Sequence, residues 1–257
     1  MKRILAPFLS LALVSASFGT ITSPQFLHVY SGGASNHGTF TTSVTTGDII
    51  VVFVSGTSTG GFTCSDSQSN AYINIQSGTN QPSCTSFYTY NASGGSCTMT
   101  LSGISGESDL GFTAIEYHSS NGNFTSDPID KHGQARGLSG VTSISVSFTT
   151  VGANDVLVCG QSDETSYSFT GWTANLTQVQ LDTGHIDGQA QGLNKPAAAY
   201  TEGITGVTSG SSNQNTVILL AFKEPVGTPP IVNNFLFFFS LIFAPYGLRP
   251  TPEPLIA

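Results

Sequence analysis

Charged residues are scarce in this sequence. Only 9% of its 257 residues are Asp, Glu, Lys or Arg, whereas ordinary soluble proteins have about 25%. Seven residues are basic, and two of them, Lys2 and Arg3, lie at the extreme N-terminus. With a formal net charge of −8, the chain has no basic stripe to neutralise phosphate groups. This balance excludes nucleic acid as a partner.

Zinc-ligand spacing and helix-forming composition are also missing. The four cysteines include no C-x-x-C pair and the five histidines are scattered, so the sequence contains no recognisable zinc site. Gly, Ser and Thr, which are weak helix formers, are abundant. The sequence therefore predicts an all-β protein of short strands and tight turns.

The first sixteen residues are organised as a secretion signal. Lys2 and Arg3 form its charged end, Ile4–Val14 is a short apolar run, and Ala16 ends a stretch of small residues. The apolar run is too short to span a bilayer. We expect cleavage after Ala16 and a secreted or cell-surface location.

Export would place the cysteines in an oxidising compartment, where an even set favours disulfides. The candidates are Cys64, Cys84, Cys97 and Cys159, and four cysteines allow three pairings between which the sequence does not choose. Because Cys159 lies in the apolar run 156–159, a buried free thiol is the alternative for that residue.

The strongest strand signal is the apolar run Ile49–Val54, which follows a turn at residues 46–48. Six consecutive β-branched or aromatic residues predict a strand that is buried on both faces. Residues 143–148 instead alternate serine with Ile, Val and Phe, the pattern of a half-buried strand. Residues 119–140 and 163–195 are polar and turn-rich, and we interpret them as loop-rich segments.

A weak internal repeat organises these strands. The segment TTGDIIVVFVSG (45–56) resembles TTVGANDVLVCG (149–160), and Asp48 and Asp155 lie 107 residues apart. The repeat predicts a single antiparallel β-sandwich over residues 17–224, jelly-roll-like, with two pseudo-repeated halves of which neither closes its own core. Two tandem independent domains are the alternative.

Three features together resemble a widespread class of bacterial secreted β-sandwich modules found in large surface proteins. They are the polar corner CSDSQSNAY (64–72), the turn YTYNASGG (88–95) and the strand end Glu116-Tyr117, each downstream of a strand launched by Gly-Asp. In the corner, Ser69 stands where these modules usually have Gly. The resemblance covers about residues 40–224 and implies a β-sandwich fold and export.

Residues 225–257 form a Pro-rich linker followed by a hydrophobic tail. The segment 231–244 is strongly apolar but short of the roughly 20 residues that a membrane helix needs. It predicts a strand that docks on its own domain, a strand donated to another subunit, or a tail lying in a membrane interface.

Aromatic residues in turn-rich regions are the candidates for ligand binding. Trp172 lies between turns, and exposed Trp and Tyr side chains stack on sugar rings in many binding modules. Tyr88 and Tyr90 are the accompanying candidates. The alternative for Trp172 is a structural anchor in the core or a loop.

Carboxylates supply the remaining candidates. Asp66 with Asn70, and Asp127 with Asp130, offer the oxygen ligands that calcium prefers, although hydrogen bonding to the local backbone in a turn is the favoured interpretation of such residues. Glu116 follows apolar residues of one strand face, and three interpretations are open: a general acid, a carboxylate solvated at the end of the strand, or a carboxylate that accepts hydrogen bonds from a neighbouring loop.

These observations favour a secreted, non-enzymatic β-sandwich protein with an adhesion or carbohydrate- or matrix-binding role, without a cofactor unless calcium binds. Its partner would be a polysaccharide or another surface protein. One alternative is a structural subunit that assembles through residues 231–244. The other is a polysaccharide hydrolase or lyase, which would need two carboxylates about 5–10 Å apart in one cleft.

Overall fold

The computed structural model describes residues 19–31, 36–56, 61–77, 83–103, 110–137, 141–163, 171–173, 175–181, 187–206 and 215–225. Strands account for 67% of these residues and helices for none, which confirms the all-β prediction. Within this part of the chain no helix is able to span a membrane. All of the described residues belong to one compact unit. The predicted signal (1–16) and the hydrophobic segment 231–244 lie outside the described residues.

The described residues contain sixteen strands, eight in each of two repeats. The first repeat contains β1 (Ile21–Ser31), β2 (His37–Thr39), β3 (Ile49–Gly56), β4 (Thr63–Asp66), β5 (Ile73–Ser77), β6 (Ser83–Thr89), β7 (Thr98–Ser102) and β8 (Leu110–Ser119). The second contains β9 (Ile129–Gly137), β10 (Ser143–Thr149), β11 (Asp155–Asp163), β12 (Gly171–Trp172), β13 (Thr177–Leu181), β14 (Asp187–Lys195), β15 (Ala199–Thr205) and β16 (Asn215–Lys223).

The two repeats have the same topology. In the first, a five-stranded sheet has the order β1-β8-β3-β6-β5 and a three-stranded sheet the order β2-β7-β4. In the second, the corresponding orders are β9-β16-β11-β14-β13 and β10-β15-β12. Adding eight to each strand number of the first repeat gives the second. The internal repeat seen in the sequence therefore extends over all sixteen strands.

In the part of the chain that the structure describes, three hydrophobic cores hold four sheet layers together. A first core fills the space between the two sheets of the first repeat, and a second core does the same in the second repeat. A shared core lies between the two five-stranded sheets and takes side chains from both repeats. Each repeat is thus a sandwich with its own core, which differs from the single shared sandwich that the sequence suggested.

Strand β3 shows why its sequence is apolar without interruption. Its even-numbered residues Ile50, Val52 and Val54 face the first core, and its odd-numbered residues from Ile49 to Phe53 face the shared core. Every side chain from Ile49 to Val54 is buried. The prediction of a strand buried on both faces is therefore confirmed, because successive side chains of a strand point to opposite faces.

Equivalent residues of the two repeats meet at the shared core. Ser162 donates a hydrogen bond to Ser55, its counterpart 107 positions earlier, with 2.9 Å between the two Oγ atoms. At the neighbouring equivalent pair, a Cβ added to Gly160 would lie 2.1 Å from the ring of Phe53, so glycine leaves the space that the ring fills. A contact between equivalent residues is the signature of a two-fold relation. The repeats therefore pack like the two halves of a symmetric dimer.

Four strands lie in segments that we interpreted from the sequence as loop-rich. Strand β9 occupies an edge of its five-stranded sheet, β13 and β14 lie at the opposite side of the same sheet, and β12 is an edge of the sheet β10-β15-β12. Strand β14 reads DGQAQGLNK and has few large apolar residues. The loop-rich interpretation was wrong here because a strand's position in a sheet, rather than its own hydrophobic pattern, determines its pairing.

Candidate functional site

The outer side of the sheet β2-β7-β4 is a surface of hydroxyl groups. In β7, Met99 and Leu101 point into the first core, so the alternate residues Thr98 and Thr100 point outward. Flanking strands place further Ser and Thr residues beside them in register. We call this surface the first hydroxyl face; it consists of Thr39, Thr63, Ser65, Thr98, Thr100 and Ser102.

The sheet β10-β15-β12 has the same kind of outer surface. Ile144 and Val146 of β10 point into the second core, and the serines between them are exposed. Strand β15 adds exposed threonines, with Thr201 opposite Ser147 in the ladder. This second hydroxyl face consists of Ser143, Ser145, Ser147, Thr149, Thr201 and Thr205.

Both hydroxyl faces are regular and uncharged. A cross-strand hydrogen bond joins Thr39 to Thr98 at 2.7 Å in the first, and one joins Ser147 to Thr201 at 2.8 Å in the second. Sheet geometry spaces outward residues by about 4.8 Å across strands and by roughly 6.6 Å along them. Among the described strand positions of the two faces, His37 is the only ionisable side chain.

A buried carboxyl pair closes one end of the first core. Asp48, which precedes β3, is 2% exposed, and its Oδ1 lies 2.8 Å from Nδ1 of His118. Burial raises the pKa of Asp48 to about 7, and the neighbouring Glu116 carboxyl acts in the same direction while His118 opposes it. Two buried acids side by side favour the state in which one holds a proton.

The contacts of Glu116 show that its carboxylate accepts hydrogen bonds from a neighbouring loop. It is 1% exposed, and its carboxylate accepts hydrogen bonds from the Gln25 side chain (2.5 Å) and from the backbone N–H of Thr45 (2.7 Å). Gln25 in turn accepts from the side chain and backbone of Thr42. The carboxylate thus fastens the loop before β3, and the described structure places no open cleft against it.

The second repeat has an equivalent arrangement made from a different strand. Asp155 is fully buried, and burial, followed by the neighbouring Asp130, raises its pKa to about 7. Burial also acts to raise the pKa of Asp130, but the backbone N–H groups of Val151 and Gly152 donate to Asp130 and lower it overall. A carboxylate therefore binds the loop before the central strand in both repeats.

A polar cleft of about 270 Å³ lies at the junction of the repeats. The connection between β8 and β9 lines one side, and the end of β16 lines the other. Asp127 and Glu224 lie in its wall, but both are already engaged. Asp127 accepts from Tyr88 and from a backbone N–H, and Glu224 accepts from Ser119 and Asn154.

The aromatic candidates lie in or against the cores. Trp172 is half-buried and packs against the second core. Tyr88 is 2% exposed, and its ring lies 5.4 Å from that of Phe222 across the shared core. Tyr90 packs against the same core, 6.3 Å from Tyr88. All three side chains are therefore at least partly buried by contacts with the cores.

The corner at Asp66 is a hydrogen-bonded turn. Asp66 accepts from the backbone N–H groups of Gln68 and Asn70, from the Asn70 side chain and from the Tyr72 hydroxyl, at 2.8–3.1 Å. Asn70 accepts the backbone N–H of Ser93. These bonds secure the corner, and in the described residues no cluster of three or more His, Cys, Asp or Glu side chains is suited to a metal.

All four cysteines are free thiols in the structure, and the disulfide framework stays a prediction. Cys64 pairs with Leu101 in the ladder, four residues from Cys97. At about 3.3 Å per residue, their backbones lie farther apart than the roughly 7 Å that a disulfide allows. Cys84 points into the shared core, whereas Cys159 points into the second core.

A serine-hydrolase site finds no support in the strand arrangement. Residues Gly56 to Gly60 read GTSTG and match the G-x-S-x-G pattern. That pattern forms a nucleophile elbow where a strand turns into a helix, but here it stands between strands β3 and β4. Residues 57–60 themselves, like the acidic residues Glu107, Asp109 and Glu164, lie outside the described residues.

Sequence reasoning missed the hydroxyl faces, although their signal was present. The alternation of serine with apolar residues in 143–148 identified a half-buried strand. It did not show that the outward residues of neighbouring strands are also Ser or Thr, because strand order is a property of the fold. Together these features define the class of the protein: an all-β, sandwich-like protein built from two repeats. No protein-family model, curated protein or solved structure matches the chain.

Proposed function

We propose that this protein is a secreted, non-enzymatic protein that binds neutral polysaccharide at the cell surface or in its matrix. The observation that carries the proposal is the pair of regular hydroxyl faces, whose described strand positions carry no Lys, Arg or carboxylate on the outward side. Each hydroxyl is both a donor and an acceptor of hydrogen bonds. A row of them is therefore complementary to the hydroxyl rows of a glycan, whichever way the individual sugar hydroxyls point.

The energetics suit a broad surface of weak contacts. A net hydrogen bond contributes only about 0.5–1.5 kcal/mol once exchange with water is counted. A face of six hydroxyls therefore binds by adding many small terms along a polymer, and a single sugar binds poorly. The described strand positions of the faces carry no Lys or Arg to pair with carboxylates or sulfates, which favours neutral over acidic polymers.

The arrangement of the acidic residues supports a non-enzymatic role. Glu116 and Asp48 are buried, and each carboxylate oxygen of Glu116 accepts a hydrogen bond from its own chain. The repetition of the carboxyl pair in the second repeat, at Asp130 and Asp155, suggests that the fold itself requires it.

The strand order supports a finer assignment of the fold. Each repeat pairs its first strand with its last and its second strand with its seventh, in two facing sheets. This nesting of early and late strands is the arrangement of an eight-stranded jelly roll. We include the jelly-roll assignment in the proposal.

Binding to insoluble polymers tests the function. Purified protein is mixed with amorphous cellulose, chitin, starch granules and, as an acidic comparison, calcium alginate, and the protein left in solution is measured. We expect depletion by at least one neutral polymer and none by alginate. The first-face variant (Thr39→Lys with Ser65→Lys) and the second-face variant (Ser145→Lys with Thr201→Lys) should each bind less.

A matched control separates the faces from the added charge. Asn74→Lys with Gln178→Lys adds the same two charges at exposed positions of the five-stranded sheets, away from both faces. This control should bind like the wild type. Absence of binding to every neutral polymer, or equal binding by a variant with both faces changed, would refute the proposal.

A further inference from the structure

The layer order of the molecule sets the direction of the two hydroxyl faces. The first core covers one side of the sheet β1-β8-β3-β6-β5, and the shared core covers the other. The three-stranded sheet β2-β7-β4 therefore lies at the far side of the first core, with its hydroxyls pointing away from the molecule. The same argument applies to β10-β15-β12 and the second core.

The distance between the faces follows from sheet packing. Facing sheets pack about 10 Å apart, so four stacked layers place the two outer sheets roughly 30 Å apart. The two-fold relation between the repeats gives the faces opposite directions, because equivalent surfaces of a two-fold pair are turned away from the shared interface. A flat polymer surface that contacts one face is out of reach of the other.

The interface between the repeats fixes this arrangement. Ile21 of β1 donates its backbone N–H to the Asn194 side chain at 2.7 Å, and that side chain donates back to the Ile21 carbonyl at 3.1 Å. Tyr88 and Phe222 pack ring to ring across the shared core. The two sandwiches are thus joined by polar and apolar contacts as well as by the chain itself.

We infer that a single molecule bridges two polysaccharide chains or surfaces, one on each hydroxyl face. The inference rests on the proposed function and goes beyond it, since a protein with one binding face would adhere to a polymer without linking it to another. Bridging by one chain needs no oligomer. It makes the protein a crosslinker of the matrix into which it is secreted.

A capture experiment tests bridging separately from binding. Amorphous cellulose, chitin or starch is immobilised, the full chain is added and washed, and a fluorescent soluble polymer of the same chemistry (hydroxyethyl cellulose, glycol chitin or amylose) follows. We expect the wild type and the Asn74→Lys, Gln178→Lys control to retain labelled polymer. The first-face and second-face variants should bind the surface yet retain at least tenfold less label per bound protein.

The outcomes distinguish the two proposals. If the wild type binds the surface but retains no label, bridging is refuted and the proposed function stands. If single-face variants retain as much label per bound protein as the wild type, bridging by opposite faces is refuted, and light scattering will then show an oligomer as its source. If the wild type binds none of the three surfaces, both proposals fail.

Discussion

The two repeats have the same order of eight strands each, but their residues differ where the repeats contact each other. Phe53 in the first repeat and Gly160 in the second are equivalent positions, and the ring of one fills the space left by the other. Two phenylalanines would collide there and two glycines would leave a cavity. A duplicated interface is no longer complementary to a copy of itself once the two repeats have different residues at equivalent positions. The pairing of unlike repeats is then favoured over the pairing of like ones.

The buried acids Asp48 and Asp155 differ between the repeats in another way. Both lie at the start of the central strand, but the carboxyl group beside each comes from a different strand. Asp48 and Asp155 both precede or begin the central strand of their repeat. Glu116 from β8 accompanies Asp48, whereas Asp130 from β9 accompanies Asp155. Both accompanying carboxylates bind backbone N–H groups of the loop before the central strand. What the fold retains is an anchor for this loop.

Single substitutions at the contact between Phe53 and Gly160 should have the largest effects on stability. Phe53→Gly alone is expected to cost about 4 kcal/mol through the cavity, and Gly160→Phe alone about 3 kcal/mol or more through overpacking. Because the ring enters the same space from the other repeat, the double variant should recover at least half of the summed loss. Urea unfolding of the four proteins measures this coupling. Simple additivity of the two losses would contradict the two-fold contact.

Stability should fall as the pH rises from 5 to 8. The folded-state pKa of Asp48 and of Asp155 is about 7 because of burial, whereas an unfolded Asp has a pKa of about 3.9. The folded state binds these protons more tightly, so their stabilisation is complete below about pH 4 and lost as the pH passes about 7. Asp130, with its lowered pKa, acts oppositely, and only at low pH.

We expect the free energy of unfolding to be higher at pH 5 than at pH 8 by roughly 2 kcal/mol or more. Urea denaturation at the two pH values, at constant ionic strength, gives the difference. Equal stability at both values, or greater stability at pH 8, would show that these carboxyl groups are not protonated in the folded protein.

Replacing each buried Asp with Asn should show how much that carboxyl group contributes to the pH dependence of stability. Asp48→Asn and Asp155→Asn should each reduce the difference between pH 5 and pH 8, and the double variant should nearly remove it. At pH 8 the two single variants should gain about equally in stability, because burial raises the pKa of both carboxyls to about 7. A gain at only one of the two positions would show that the other carboxyl is not protonated in the folded protein.

The smallest expected effect is at the serine pair. Ser55→Ala and Ser162→Ala each remove the single hydrogen bond between equivalent residues, which is worth about 1 kcal/mol. The double variant should lose little more than either single variant, since the same bond is removed. Thermal unfolding resolves such differences. Independent, additive losses would mean that the two hydroxyls do not bond to each other.

The strand content and the internal repeat were predictable because local sequence patterns indicated them. The uninterrupted run Ile49–Val54 required burial on both faces, and the repeat of Asp48 at Asp155 marked the duplication. Strands β9 and β14 were not predictable, because their Gly, Gln and other polar residues do not alternate with apolar residues. Their place in the sheet comes from neighbouring strands. The separate core of each repeat was missed because the sequence does not reveal which residues face which layer.

The candidate site was less predictable than the fold. Trp172 and Tyr88 were chosen as residue types that bind sugars, but packing places them against the cores. The hydroxyl faces arise from residues that are individually unremarkable, such as Thr98 or Ser147. Only the register of three strands brings them into rows. A surface of this kind is a property of strand order, which single-sequence patterns do not contain.

The salt dependence of binding to a neutral polymer tests the account most directly. Wild-type protein and the four-lysine variant with both faces changed are titrated onto amorphous cellulose, chitin and starch granules at low and high NaCl. We expect wild-type binding that salt leaves unchanged, because hydroxyl groups make the contacts, and loss of binding in the variant. Wild-type binding that disappears at high salt, or a variant that binds as well as the wild type, would contradict it.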